Sequence, residues 1–359
     1  MPEPSRPALS DLERAIIAHL QRDGRISFRT LATELGVTET MIYRHAQQLM
    51  HGGYFQVIGV VDPLALGQGD AVLAGIGCDP MAARSVAAAL SARPETRFVA
   101  LVTGTFDVVC ELVISDRAHL TRMLVEILPA IQGVRDINTS WVLHNYITHY
   151  LWDIPMLPDS HAPVPERDQD HFTSAGLAPD GVPVDAGTHE AIVAPTNGIE
   201  LDSTDHDVVR LLQQNGRISY AEIAGALGIT ESTARRRALR LLQSNHVRVV
   251  AISNPFLLGF QDVVLIWFKI DLGRLSAVAA ELSRQAAIRY LSRTAGAVDL
   301  VAEALFRNHA DLFAFLNGPL AAVAGIREVS ISFELALYKR AYRHFDIAEA
   351  SEGKPSTGS

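Results

Sequence analysis

Cysteine is scarce in this chain of 359 residues: Cys78 and Cys110 are the only two, each inside an apolar, strand-like run. Their spacing supports neither a zinc site nor a structural disulfide, so both are expected to be small core residues in a reducing cytoplasm. No apolar stretch reaches the roughly 18–20 residues of a membrane helix, and the opening "MPEPSRPALSDL" has no apolar signal core. A soluble, cytoplasmic protein without a membrane partner is expected. G-x-S-x-G, phosphate-loop, H-E-x-x-H and C-x-x-C patterns are absent. Accordingly the chain is not read as an enzyme, and no catalytic residue, cofactor or metal is assigned.

Net positive charge is also missing. The formal charge is −9, which looks wrong for a partner of nucleic acid, but the acidity is local. Residues 153–200 hold nine acidic residues against the single Arg167, a local charge of −8 that leaves −1 for everything else. The same segment has seven prolines and no sustained apolar period, and reads as a linker of roughly 38 Å r.m.s. span if it behaves as a flexible coil.

What is present is a repeat. "GRIS" occurs at 24–27 and again at 216–219, 192 positions later. The same offset pairs Leu9 with Leu201, Gly36 with Gly228, Pro63 with Pro255, Asp107 with Asp299, Glu111 with Glu303 and Tyr146 with Tyr338, without a gap. The chain is therefore a tandem duplication, and two copies suggest a pseudo-symmetric pair.

Each copy opens with a helical segment, with Leu12, Ile16 and Leu20 on one face in the first and Val208, Leu211 and Leu212 in the second. Gly24 reads as the C-cap and Asn215-Gly216 as the stop; in "GRIS", Gly ends one helix, Ile plugs the core and Ser begins the next. Ser27 and Ser219 are N-cap candidates, with a capping box from Ser219 to Glu222. After Gly36 and Gly228, Thr38 and Thr230 cap a third helix whose inner face is Ile42, Ala46 and Leu49, or Ala234, Ala238 and Leu241. This is a helix-turn-helix. "YFQVIGVVDP" and "VRVVAISNP" add short β segments, so a wing is expected. The third helix of such a module enters the major groove. The second copy clusters Arg235, Arg236, Arg237 and Arg240 there, and residues 201–254 sum to +2, against −1 for residues 9–62. Arginine's planar fork suits phosphate and guanine. In the first copy Tyr43, Arg44, His45 and Gln48 take the same places.

From residue 70 the pattern becomes β-α-β-β-α-β, the ferredoxin-like order, and it recurs in the second copy. Two helices would cover one face of each sheet, and the other copy is the obvious cover for the second face. Between the second and third strands lie "TGTFD" (103–107) and "TAGAVD" (294–299). Gly104 and Gly296 would permit positive φ. Asp107 and Asp299 either cap the turn, the plainer reading, or bind an ammonium group.

Helix-turn-helix, a β hinge and a β-α-β-β-α-β domain with "TGTFD" together resemble the leucine-responsive/AsnC (Lrp/AsnC) family of bacterial and archaeal regulators. The resemblance covers residues 9–150 and 201–345. It implies an α+β fold: a winged helix-turn-helix at 9–62 and a ferredoxin-like effector and dimerisation domain at 69–150. A linker at 153–200 follows, the pair recurs at 201–254 and 261–345, and a disordered tail closes the chain at 351–359. It implies transcription regulation through double-stranded DNA, read by Thr38, Thr40, Met41, Tyr43, Arg44, His45 and Gln48, and by Thr230, Ser232, Thr233, Arg235, Arg236, Arg237 and Arg240. It further implies a small effector such as an amino acid, contacted by Thr103, Gly104, Asp107, Gly296 and Asp299. An intrachain pseudo-dimer and a homo-oligomer are the expected assemblies. Two departures stand out: His45 replaces the arginine usual in the third helix, and "TAGAVD" lacks the aromatic that Phe106 supplies. The alternatives are a sirohaem-decarboxylase-like enzyme on the same fold and an effector-binding oligomer without DNA binding.

Overall fold

The computed structural model describes residues 9–61, 69–147, 201–244 and 246–344. The linker expected at 153–200 and the tail at 351–359 lie outside the described residues, as do Asp62 and Pro63. The first copy runs α1 (Asp11–Arg22), α2 (Phe28–Leu35), α3 (Glu39–His51), β1 (Phe55–Val60), β2 (Asp70–Cys78), α4 (Ala83–Ser91), β3 (Thr96–Val102), β4 (Val108–Ile114), α5 (Arg117–Arg122) and β5 (Val134–Ile147). The second runs α6 (Ser203–Gln214), α7 (Tyr220–Leu227), α8 (Glu231–Gln243), β6 (Arg248–Ser253), β7 (Asp262–Ile270), α9 (Leu275–Ser283), β8 (Ile288–Ala295), β9 (Leu300–Phe306), α10 (His309–Phe315), β10 (Ile326–Arg340) and β11 (Arg343–His344).

Local signals place the helices. Ser10 with Glu13, Asp202 with Asp205, and Ser219 with Glu222 form capping boxes, and Ser27, Thr38 and Thr230 each accept an N-terminal backbone N–H. Gly36 and Gly228 end α2 and α7 at φ +67° and +65°, the left-handed region that favours glycine. Ile42, Ala46, Leu49, Ala234, Ala238 and Leu241 are all buried, in one hydrophobic core that the two heads share.

Two local expectations change. Gly24 is not the cap, since α1 ends on Asp23. Gly24 is glycine because a Cβ there would lie 2.7 Å from the Val57 side chain and 2.9 Å from the Val249 carbonyl oxygen. Nor does either head build a wing from its own copy of the repeat. β1 and β6 pair with each other, antiparallel, from Phe55 opposite Ser253 to Val60 opposite Arg248. Each head supplies one strand, and the missing partner comes from the other copy.

The second domains fuse in the same way. Each half keeps the ferredoxin-like strand order, β5-β2-β4-β3 and β10-β7-β9-β8. The strands β5 and β10 are 14 and 15 residues long, about twice what one sheet uses. Up to Trp141, β5 pairs with β2; from there it pairs with β8. Up to Phe333, β10 pairs with β7, and from Glu334 with β3. These two seams close the sheets into an antiparallel ring, to which β11 is appended on β10. Helices pack on the outer face of each half over cores centred on Val86, Leu90 and Cys110, and on Val278, Leu282 and Ala302. Cys78 and Cys110 are free and buried, and burial pushes their thiols up to about 11 and about 12. The ring interior is filled by Leu73, Phe98, Val109, Leu265, Trp267, Tyr290 and Val301, which leave a void of only about 10 Å³ beside Glu111 and Glu303.

Inside the ring the repeat is imperfect. Arg97 holds Glu111 through Nε at 2.8 Å and Nη2 at 2.6 Å. The equivalent Arg289 holds Glu303, which also accepts two bonds from Arg340 at 2.7 and 2.8 Å. Glu334 lies 3.4 Å from Arg340, whereas the first copy has Val142 at that position.

Candidate DNA-reading surface and effector hairpins

The two heads are held by a reciprocal grip. Arg25 Nη1 and Nη2 donate to the carbonyls of Gly216 and Ile218 at 2.9 and 3.2 Å. Arg217 donates to those of Gly24 and Ile26 at 2.9 and 3.0 Å. The backbone repeats the exchange: the Gly24 N–H meets the Val249 carbonyl, and the Gly216 N–H meets that of Val57, both at 2.8 Å. Each guanidinium also lies over a ring of the opposite head, Arg217 over Phe28 at 4.3 Å and Arg25 over Tyr220 at 5.2 Å. Burial, and then the like charge of Arg25, hold the Arg217 pKa below the usual arginine value. "GRIS" is thus a joint between heads as well as between helices. This grip was not expected from the sequence. Its signal is an arginine kept in both copies, in a loop where a helix joint alone needs no cation.

On the third helices the expected DNA-reading residues divide into two groups. Thr40, Tyr43, Arg44 and Gln48 on α3, and Ser232, Arg235 and Arg236 on α8, are exposed, as are the capping Thr38 and Thr230. Met41 is 37% and Tyr43 54% exposed. Thr233 is half-buried and supplies its backbone N–H to the Thr230 cap. Arg237 and Arg240 reach back to the first helix of the head, Arg237 half-buried and Arg240 with its side chain still 41% exposed. Arg237 donates to Asp202 and Asp205 at 2.8 Å, and Arg240 pairs with Asp205, which is fully buried. His45 makes the matching contact in the first head, 3.2 Å from Glu13. Arg237, Arg240 and His45 therefore fasten the third helix to the first, and the exposed arginines of the second head's third helix that carry no acidic partner on the first helix are Arg235 and Arg236. Backbone bonding at Asp205 and the Arg237 contact hold the Asp202 carboxyl below its usual value.

The two hairpins lie at the seams of the ring. Thr103 bridges to β10, its N–H donating to the Phe333 carbonyl at 2.9 Å and its Oγ1 accepting from the Phe333 N–H at 3.0 Å. Gly104 has φ +96°. Gly296 is not among the positive-φ residues. It is glycine because a Cβ there would lie 2.5 Å from the Ser140 hydroxyl and 2.8 Å from the Thr139 carbonyl oxygen. The carboxylate of Asp107 accepts from the Cys78 N–H at 2.7 Å and that of Asp299 from the Ile270 N–H at 2.8 Å. Each aspartate side chain thus bonds the end of its own first strand, β2 or β7, and not a backbone N–H of its own hairpin turn. The ring missing from "TAGAVD" is supplied elsewhere. Trp267 stands at the position of Gly75 and meets Phe106 edge-on at 5.6 Å, while Gly75 leaves room for Phe106.

Two helix-turn-helix heads on a shared ribbon, carried by a closed pair of ferredoxin-like domains, define a two-headed helix-turn-helix protein. The AsnC-type helix-turn-helix domain matches residues 9–50 and 201–242, and the Lrp/AsnC ligand binding domain matches residues 71–152 and 263–343. The chain belongs to the Lrp/AsnC family of transcriptional regulators, with both domains present twice. The HTH-type transcriptional regulator FL11 of Pyrococcus abyssi is 31% identical over 130 residues, 35% of this chain and 86% of FL11. The HTH-type transcriptional regulator Ptr1 of Methanocaldococcus jannaschii is 29% identical over 140 residues, 39% of this chain and 95% of Ptr1. Each such match spans only about one copy of the repeat. A crystal structure of the siroheme decarboxylase NirDL superposes with a TM-score of 0.59 over 95% of this chain and 96% of that one, at 13% identity, a likeness of fold alone.

Proposed function

We propose that this regulator binds double-stranded DNA sequence-specifically through both heads and answers to a small effector such as an amino acid. The observation that carries the reading is the pair of outward-facing arginines, Arg235 and Arg236, on a capped recognition helix whose other cations are spent on holding it in place. Both heads sit on one ribbon and one core, so their separation is set before DNA arrives. Thr38, Thr40, Met41, Tyr43, Arg44 and Gln48 would face DNA from the first head, and Thr230, Ser232, Thr233, Arg235 and Arg236 from the second. Effector contacts are placed at Thr103, Gly104 and Asp107 and at Gly296 and Asp299. There a ligand would touch the same hairpins that bond across the seams. Leu143 and Leu335, equivalent in the repeat and 54% and 59% exposed, favour assembly into a homo-oligomer.

Mobility shifts across a salt series test the DNA reading. Arg235→Ala with Arg236→Ala is expected to weaken binding at least tenfold and to reduce the salt slope by about 2, one unit for each phosphate no longer neutralised. Unchanged affinity and slope would sink it. The decarboxylase-like alternative has whole-chain fold likeness in its favour, and tight binding in a Soret-region titration with sirohaem would replace the regulator reading.

A further inference from the structure

The two recognition helices occupy equivalent places in one frame, yet their exposed first turns differ in a definite pattern. Glu39 matches Glu231, Thr40 matches Ser232, and Arg44 matches Arg236. Two positions break the match. Met41 stands where the second head has Thr233, and Tyr43 stands where it has Arg235. Tyr43 is braced: its ring meets Phe28 edge-on at 6.0 Å, and Phe28 lies under the Arg217 guanidinium of the other head. The first head therefore offers the Met41 thioether chain and the braced ring of Tyr43, and the second the half-buried Thr233, whose hydroxyl bonds that of Thr230, and the exposed guanidinium fork of Arg235. Apolar side chains favour the methyl group of thymine, whereas arginine pairs with guanine O6 and N7 in the major groove. A dimer of identical chains presents one helix twice and so favours a palindrome. This chain is released from that constraint, because its two heads are encoded separately and locked together by Arg25 and Arg217.

We propose that the operator is a broken palindrome. Its two half-sites share the bases or phosphates read by Arg44 and Arg236, and differ where Met41 and Tyr43 face one half and Thr233 and Arg235 the other. There the second half-site carries guanine and the first carries thymine. The inference rests on the DNA-binding reading above and assigns Met41, Tyr43 and Arg235 as its specificity-determining residues.

Selection from duplexes with a randomised window of about 30 base pairs, long enough for two half-sites one or two turns apart, tests it on the full chain. Wild type is expected to enrich a non-palindromic site, and to prefer it over both symmetrised versions by about five- to hundredfold, the range of one bidentate arginine–guanine contact. Met41→Thr with Tyr43→Arg makes the first head like the second, and should shift the preference to the guanine-symmetric palindrome. Thr233→Met with Arg235→Tyr should shift it to the thymine-symmetric one. A palindrome enriched by wild type overturns the inference and leaves DNA binding standing. An asymmetric site whose preference survives both exchanges overturns the residue assignment. Failure to retain any duplex, at any salt, takes the DNA-binding reading down with it.

Discussion

The two heads solve the same packing problem with different chemistry. In the first, His45 and Glu13 join the third helix to the first; in the second, Arg237 and Arg240 converge on Asp202 and the buried Asp205. The positions correspond, 45 with 237 and 13 with 205, so both copies keep a fastening there while its charge differs between them. The lesson concerns how arginine clusters are read. Four arginines within six residues look like one DNA-facing patch, but two of them, Arg237 and Arg240, are paired with the acidic N-terminus of the neighbouring helix. The basic excess of the second head is partly internal wiring, and its outward advantage over the first head is narrower than composition indicates.

This comparison can be broken most forcefully at what the heads share. Arg25→Ala with Arg217→Ala removes four charged hydrogen bonds, and is expected to cost about 3–4 kcal/mol after discounting for partial exposure. Urea denaturation should show a lower midpoint, while the shared core and ribbon keep the heads coupled; an unshifted transition would refute the joint. Asp205→Asn and Glu13→Gln then sharpen the difference between the fastenings. The first removes the buried negative charge shared by two arginines and turns one of its two acceptor oxygens into a donor, and is expected to cost about 2 kcal/mol, while the second weakens a half-exposed pair and should cost less than about 1 kcal/mol. Equal shifts in thermal midpoint would mean that the fastenings are equivalent.

The smallest effect is expected inside the ring, at Glu334, whose equivalent is Val142. Burial, and then the charge of Glu303, hold the Glu334 carboxyl well above the usual carboxylate range, against the pull of Arg340. With its folded pKa above the free value of about 4.3, the folded state binds this proton more tightly than the unfolded chain does. Its contribution is full below that free value and is lost as pH rises towards the folded pKa. Glu334→Gln should therefore gain stability relative to wild type between pH 5 and 8, by less than about 1 kcal/mol, and flatten the slope. A difference from wild type that is constant over that range would argue against it.

Much of this was legible in the sequence, because capping and periodicity are local. Ser27, Thr38, Ser219 and Thr230 announce their helices, and Ile42, Ala46 and Leu49 announce a buried face. The constant offset announces the pseudo-symmetry. What escaped depends on pairs far apart in the chain. Gly24 looks like a helix stop until Val249 is placed against it, and β1 looks like half a wing until β6 is found beside it. Gly296 looks like a turn glycine until Ser140 closes on it. The division among the arginines escaped for the same reason, since Asp205 precedes Arg237 by 32 positions and meets it only in the folded head.

The partner switch in β5 and β10 has a consequence for how the chain is made. The first sheet closes only against a second one. Here the first sheet finds it on a segment that begins 192 residues downstream of its own counterpart. At ribosomal rates of about 5–20 residues per second, that leaves an interval of roughly 10–40 s. During it, the inner face of the first sheet and the far half of β5 are synthesised but uncovered. The order of the two copies in the chain thus leaves the first half of the ring waiting for the second.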